Sequence, residues 1–235
     1  MVQQQNAETK ERIQNAAIRL FSQKGFEGTR VNEIAGEAQV TKALIYYYFK
    51  NKEDILDNQV HLLLENATVI VMDFVHESVV KMMEEGRLSI EPDRLRFADA
   101  EAAESFLQSM HHYSEKVLDF LLNRRAVLRI LMLESLKSGK HQNALFQIMK
   151  LAGHTEGCLL SKAIAEANQD FSGSKDIKLF SFFFSILPLI SFAAYYDDYK
   201  QMSGMTDQAL RHSFLQSCHV IARSLVSGNE LFLPR

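Results

Sequence analysis

Val40-Thr41-Lys42-Ala43-Leu44-Ile45-Tyr46-Tyr47-Tyr48-Phe49-Lys50-Asn51-Lys52-Glu53-Asp54-Ile55-Leu56 is the stretch whose reading decides the fold. Thr41 can cap a short helix, because its hydroxyl can accept an orphan N–H of the first turn. That helix carries Lys42 near its start, then three consecutive tyrosines, then Lys50 and Lys52. Asn51 can cap the next helix, with Asp54 three residues on in the manner of a capping box. Phenols on several faces and lysines at the end make a poor core helix. They suit a helix that lies against a phosphate backbone, where Tyr and Lys donors meet phosphate oxygens.

Toward the N-terminus, Ile13, Ala16, Ala17, Leu20 and Phe21 recur at helical spacing and give one apolar face to a helix over residues 7–24. Gly25 follows where a left-handed C-terminal residue is expected. Phe26-Glu27-Gly28 reads as a turn. Thr29 can cap a second helix, Arg30 to Ala38, whose inner face is Ile34, Ala35 and Ala38. Gln39-Val40 makes a tight break before Thr41. Two short helices joined by a few residues form a helix-turn-helix over about residues 30–49, within a first domain of residues 1–52. One of the three tyrosines is expected to pack into this small domain, with Tyr46 the first candidate. Lys50 is expected to be solvated.

Toward the C-terminus a long helix is expected from Lys52 to about Glu85, ended by Gly86. Arg87 to Asp93 reads as a loop. Helical patterns resume at about 94–122, 124–138, 142–168, 175–200 and 206–227, for about nine helices in all. No segment reads as a strand, and the fold class is all-α. Residues 53–235 form the second, larger domain.

Composition agrees. The chain has 235 residues, 47% of them apolar, with only 3 Pro and 10 Gly, which permits a large helical core. The net charge of −3 gives no whole-chain sign of a nucleic-acid partner, and residues 1–55 hold eight Lys/Arg against seven Asp/Glu. DNA affinity must then come from placed donors and helix N-termini more than from a broad field. Cys158 and Cys218 show no CxxC spacing and read as buried free thiols of a reduced, cytoplasmic protein. Met1 to Lys10 is polar and lacks a signal-peptide core. Leu179 to Tyr196 approaches membrane-spanning length, but three serines and Pro188 favour a helix buried in protein. No G-x-S-x-G, P-loop, H-E-x-x-H or dinucleotide fingerprint is present, so no enzyme chemistry is expected. Adjacent helical residues point about 100° apart, so only one of His111 and His112 is expected to share a face with Glu115. No metal or other cofactor is assigned, and His154 and His219 read as isolated structural residues.

The segment Ile13 to Leu56 closely resembles the N-terminal domain of the tetracycline-repressor (TetR) family of bacterial transcription regulators. The matching residues are Ala16-Ala17, Leu20-Phe21, Gly25-Phe26, Gly28-Thr29, Ile34-Ala35, Ala38, and Val40-Thr41-Lys42 through Ile45-Tyr46-Tyr47-Tyr48-Phe49-Lys50-Asn51-Lys52-Glu53. The resemblance covers about the first quarter of the chain. It implies a DNA-binding regulator, a repressor that releases a palindromic operator when a small effector binds the C-terminal domain. By that resemblance Thr29 and Arg30 contact phosphate, Thr41 is also among the DNA-binding residues, and Lys42, Ala43 and Leu44 face base edges or backbone. Tyr46, Tyr47 and Tyr48 contact phosphates or thymine methyls, and Lys52 anchors a phosphate. Ala43 stands where glycine is frequent and Leu44 where a small hydroxyl residue is frequent. Leu44 cannot hydrogen-bond a base, which leaves apolar contact with a thymine methyl.

The resemblance also implies a homodimer through the last two long helices, consistent with a Phe-rich stretch that exceeds what one helix face could bury. Its effector pocket would lie in the C-terminal body. Candidate lining residues are Phe106, Met110, Tyr113, Leu131 and Met132, followed by Phe146, Met149, Phe183 and Leu187. They favour an apolar or aromatic effector, although each also suits plain core packing. The alternative reading is a helical adaptor that binds a protein partner through its Phe-rich C-terminal helices.

Overall fold

The computed structural model describes residues 2–90, 95–137, 145 and 182–226. Ten helices stand among them: α1 (Val2–Lys24), α2 (Val31–Glu37), α3 (Lys42–Tyr48), α4 (Lys52–Phe74), α5 (Lys81–Glu84), α6 (Ala100–Leu122), α7 (Arg125–Ser135), α8 (Leu187–Ala194), α9 (Tyr196–Ser203) and α10 (Asp207–Val226). Two π-helical turns, Val75–Val80 and Phe182–Ile186, precede α5 and α8. The expected helix at 142–168 lies outside the described residues, apart from the helical Leu145.

The chain divides into two compact units. The first contains the described residues up to Glu65, together with α7. Its core is Ile13, Ala17 and Phe21 of α1, Phe26 of the following turn, Ile34 of α2, Ile45 of α3, Phe49, and Ile55 and Leu56 of α4. Helix α7 packs against α1 and buries Val127, Leu128, Ile130 and Leu131. This unit therefore takes in more than residues 1–52: it includes the first part of α4, to Glu65, and α7, which lies far along the chain. Polar ties also join α1 to α4, where the Gln14 Nε2 donates to Asn58 Oδ1 at 2.5 Å with Gln14 buried.

The second unit is built on α6, which packs against both α8 and α10. A core cluster in it gathers Val75, Val79, Met82, Leu88, Ala102 and Phe106. The segment read as a loop leading into a helix at 94 instead forms an antiparallel hairpin, Leu88–Ile90 (β1) against Leu95–Phe97 (β2), with Leu88 opposite Phe97. Each strand is three residues of strict alternation, Leu-Ser-Ile and Leu-Arg-Phe, which turns Leu88 and Phe97 toward the core. Asp99, whose carboxylate accepts the Ala102 N–H at 2.7 Å, then caps α6. The helix expected over 175–200 is broken at Tyr195, where φ −105 and ψ 16 leave the helical region and separate α8 from α9. Gly204, at φ 65, ends α9 as a left-handed C-terminal residue. No helix of the described residues is long and apolar enough to cross a membrane.

Candidate nucleic-acid interface

The recognition surface starts from the turn that aims α3. Helix α1 ends at Gly25, whose φ of 78 admits the left-handed turn. Gly28 lies so close beneath that helix end that a Cβ there would sit 2.5 Å from the Lys24 carbonyl oxygen. Helix α2 ends in a Schellman motif. The Val40 N–H donates to the Ala35 carbonyl and the Gln39 N–H to the Gly36 carbonyl. Gln39 takes the left-handed position at φ 53, where glycine is the usual residue. Thr41 then caps α3, its hydroxyl accepting from the Leu44 N–H at 3.2 Å. At the far end the Asn51 Oδ1 accepts from the Asp54 N–H at 2.8 Å, and the Asp54 carboxylate accepts from the Lys50 N–H at 2.9 Å. The caps expected at Thr41 and Asn51 are both formed.

Buried Ile45 and Phe49 hold α3 from behind. Its outer face presents Thr41, Lys42, Ala43, Tyr46, Tyr47 and then Lys50. Tyr47 is 73% exposed and Tyr46 48%. The Lys42 ammonium lies 5.8 Å from the centre of the Tyr46 ring. Tyr48 and Leu44 are half-buried, so Tyr48, not Tyr46, is the tyrosine that turns inward. The Tyr48 hydroxyl donates to Asn6 Oδ1 at 3.0 Å, and its ring stands edge-on to Tyr47 with centroids 5.0 Å apart.

Two residues expected at the interface are engaged elsewhere. Thr29 is 2% exposed and its hydroxyl donates to the Gly25 carbonyl at 2.9 Å. It does not cap α2; that position is Arg30, whose N–H donates to the Glu33 carboxylate at 2.8 Å. Arg30 itself is exposed. Lys52 donates to the Phe26 carbonyl at 2.8 Å, lies 4.3 Å from the centre of the Phe26 ring, and has a side chain only 16% exposed. It closes the α1–α2 turn onto the start of α4. Missed by sequence reasoning was the neutralisation of α2's acids. Lys24 binds Glu33 and Arg19 binds Glu37, both at 2.6 Å. The Lys24 hydrogen bond, with that from the Arg30 backbone, holds the Glu33 carboxyl below the usual carboxylate range.

Of the proposed effector residues, Phe106 and Met110 meet in the second unit's core cluster. Tyr113 reaches it through Phe74, on which it stacks at 4.5 Å, and Phe97 lies 5.3 Å from Phe106. Burial pushes the Tyr113 phenol up to about 12. Phe74 and Phe97 were not expected here; their signal is the aromatic spacing around α4 and the hairpin. Leu131 is fully buried in the first unit and Met132 half-buried there, apart from this cluster. Phe183 is exposed, Leu187 is half-buried, and Phe146 and Met149 lie outside the described residues. Both histidines reach Glu115, His111 Nε2 at 3.7 Å and His112 Nδ1 at 3.7 Å. The expectation of one shared face fails because i+3 and i+4 neighbours lie on the same side of a helix. His219 is not isolated, since its ring stands edge-on to His111 at 6.0 Å. Among the described residues no group of three or more His, Cys, Asp or Glu could hold a metal ion. Cys218 is a half-buried free thiol whose pKa burial raises, while Cys158 and His154 lie outside the described residues.

The family model for bacterial regulatory proteins of the tetR family matches residues 13–58. The HTH-type transcriptional repressor NicS of Pseudomonas putida is 28% identical over 166 residues, 71% of this chain and 66% of NicS. The HTH-type transcriptional regulator AcrR of Shigella flexneri is 46% identical over 52 residues, 22% of this chain and 24% of AcrR. These matches span less than two thirds of the relatives' own lengths. The solved structure of the fatty acid degradation regulator FadR of Bacillus halodurans shares the fold, with a TM-score of 0.52 at 17% identity over 94% of this chain and 95% of that one. A helix-turn-helix with its outer face exposed, a family model seated on the same residues, and relatives that are regulators lead to one conclusion: residues 13–58 form a helix-turn-helix segment of the kind found in the tetR family of bacterial regulatory proteins.

Proposed function

We propose that the chain is a sequence-specific DNA-binding transcriptional regulator, a repressor that releases its operator when a small effector binds. The outer face of α3 carries this reading. Lys42, Tyr46 and Tyr47 project from a helix clamped from behind by Ile45 and Phe49. Phenol and ammonium donors on such a face meet phosphate oxygens, and the small Ala43 lets the helix start approach the groove. Leu44 offers an apolar partner to a thymine methyl. Arg30, exposed at the head of α2, supplies a second phosphate contact. Thr29 and Lys52 act one step back, by fixing the turn that aims α2 and α3.

Two recognition helices must reach successive major grooves, about 34–36 Å apart, which requires a dimer. The partner surface is the last helices, α8 to α10, where Tyr195, Met202 and Val220 are exposed. The effector is apolar or aromatic and meets the Phe74, Phe97, Phe106, Met110 and Tyr113 cluster. Helix α4 contributes buried residues to the first unit and partly buried ones to the second unit's cluster. An effector that prefers one arrangement of the second half of α4 opposes DNA through linked equilibria. The chain is not an enzyme and works in the cytoplasm.

The test is selection of bound duplexes from a random library, followed by a salt titration of the best one. A roughly palindromic site with a steep salt slope is the expected result. A folded, ligand-free dimer that enriches no site would overturn the reading and favour a helical adaptor.

A further inference from the structure

Helix α1 begins at Val2, and the first buried side chain among its described residues is Ile13. Gln4 to Glu8 are exposed, and two to three helical turns without packing are marginal in water. Among the described residues, two side-chain contacts tie this segment to α3, and both go to the end of that helix. Asn6 Oδ1 accepts the Tyr48 hydroxyl at 3.0 Å, and the Lys10 ammonium lies 5.6 Å from the centre of the Phe49 ring. Asn6 and Lys10 are four residues apart, so they share one face of α1.

We infer that Asn6 is a positioning residue for the recognition surface: it fixes the Tyr48 ring, which in turn props Tyr47, the most exposed tyrosine of α3. The inference rests on the reading of α3 as the helix that meets DNA. A half-buried Tyr at the end of a helix still has more than one staggered χ1 well open to it. The Asn6 hydrogen bond selects one for Tyr48. Tyr47 then stands edge-on against a fixed ring, in the geometry that aromatic pairs prefer. A side chain set in place before binding loses less freedom on binding, so it adds to affinity without making a contact of its own. Asn6 carries no charge, and the Tyr47 that it props makes its full contacts only when α3 seats in register on the selected duplex, so its effect falls there and not on the electrostatic, sequence-independent part.

The experiment has two arms. In the first, 3-fluorotyrosine is placed at position 48 and its fluorine resonance is recorded in the free protein. Asn6→Ala is expected to shift or broaden that resonance; an unchanged line would overturn the inference. In the second arm, the duplex selected by the wild-type chain is titrated with Asn6→Ala, Tyr48→Phe and the double variant. Each single change is expected to lower affinity for that duplex about three- to tenfold, the range of one lost hydrogen bond. The double variant is expected to bind no worse than the weaker single one, and affinity for a scrambled duplex should stay the same. Effects that multiply, equal losses on both duplexes, or an Asn6→Ala affinity within twofold of wild type would each overturn it. A wild-type chain that selects no duplex removes the reading of α3, and this inference with it. The fluorine arm, recorded without DNA, keeps that failure distinct from a missing Asn6–Tyr48 contact.

Discussion

Lys52 separates two physical roles that a lysine beside a recognition helix can play. Its ammonium is committed to the Phe26 carbonyl and lies over the Phe26 ring, with Glu27 3.9 Å away. Lys52→Ala leaves that carbonyl without its charged donor. We expect a loss of about 1.5–3 kcal/mol of stability in urea unfolding, in the range for hydrogen bonds to charged groups. The slope of log affinity against log salt should not change, whereas loss of a phosphate contact would lower it by about 1. Thr29 and Lys52 both have the right chemistry and the right place in the chain for a DNA contact. Their sequence neighbourhood does not say that each turns back to satisfy a carbonyl of the α1–α2 turn. Tyr48 was misjudged for a related reason. Three identical side chains in a row differ only in where each points, and that depends on Asn6, more than forty residues away.

At the scale of elements, the helices bounded by caps were legible. Thr41 and Asn51 both carry hydrogen-bonding side chains just before an apolar pattern, and both caps form. The hairpin was not legible, because three-residue strands give too short an alternation to outweigh the helical pattern that follows. The break at Tyr195 was also missed, since the apolar run continues across it unchanged. Tyr113 belongs to this scale, as one helix's contribution to an aromatic cluster. Its folded pKa of about 12 stands above the ordinary value of 10.0. The associated stability is intact below pH 10, where the phenol is neutral in both folded and unfolded chains. It declines as pH rises toward 12, because the unfolded phenol ionises first. Absorbance titration near 295 nm should show one of the seven tyrosines ionising near pH 12. That step should vanish in Tyr113→Phe.

At the scale of the molecule, the placement of α7 depends on long-range packing that no local pattern records. Its apolar stripe is plain in the sequence; that the stripe faces α1 is not. The proposed partner surface can be tested without disturbing either core. Val220 is 64% exposed on α10, so Val220→Glu should leave the helical signal of the single chain unchanged. A charge buried without a partner costs about 3–5 kcal/mol. We therefore expect sedimentation to report monomer at micromolar concentration and operator affinity to fall by at least about a hundredfold. The π-helical turn at Val75–Val80 has a consequence of another kind. Such a turn holds one residue more than an α-helical path through the same space. Removing an ordinary helical residue rotates everything beyond it by about 100° and swings an apolar stripe out of register. Deleting the exposed Glu77 should instead close the bulge into regular helix, with Val75 and Met82 still facing inward. This point on the chain is thus one where the gene can lose a codon while the protein keeps its fold. Deletion of Glu77 should give a soluble, cooperatively melting protein, and deletion of Asn58 within α4 should not.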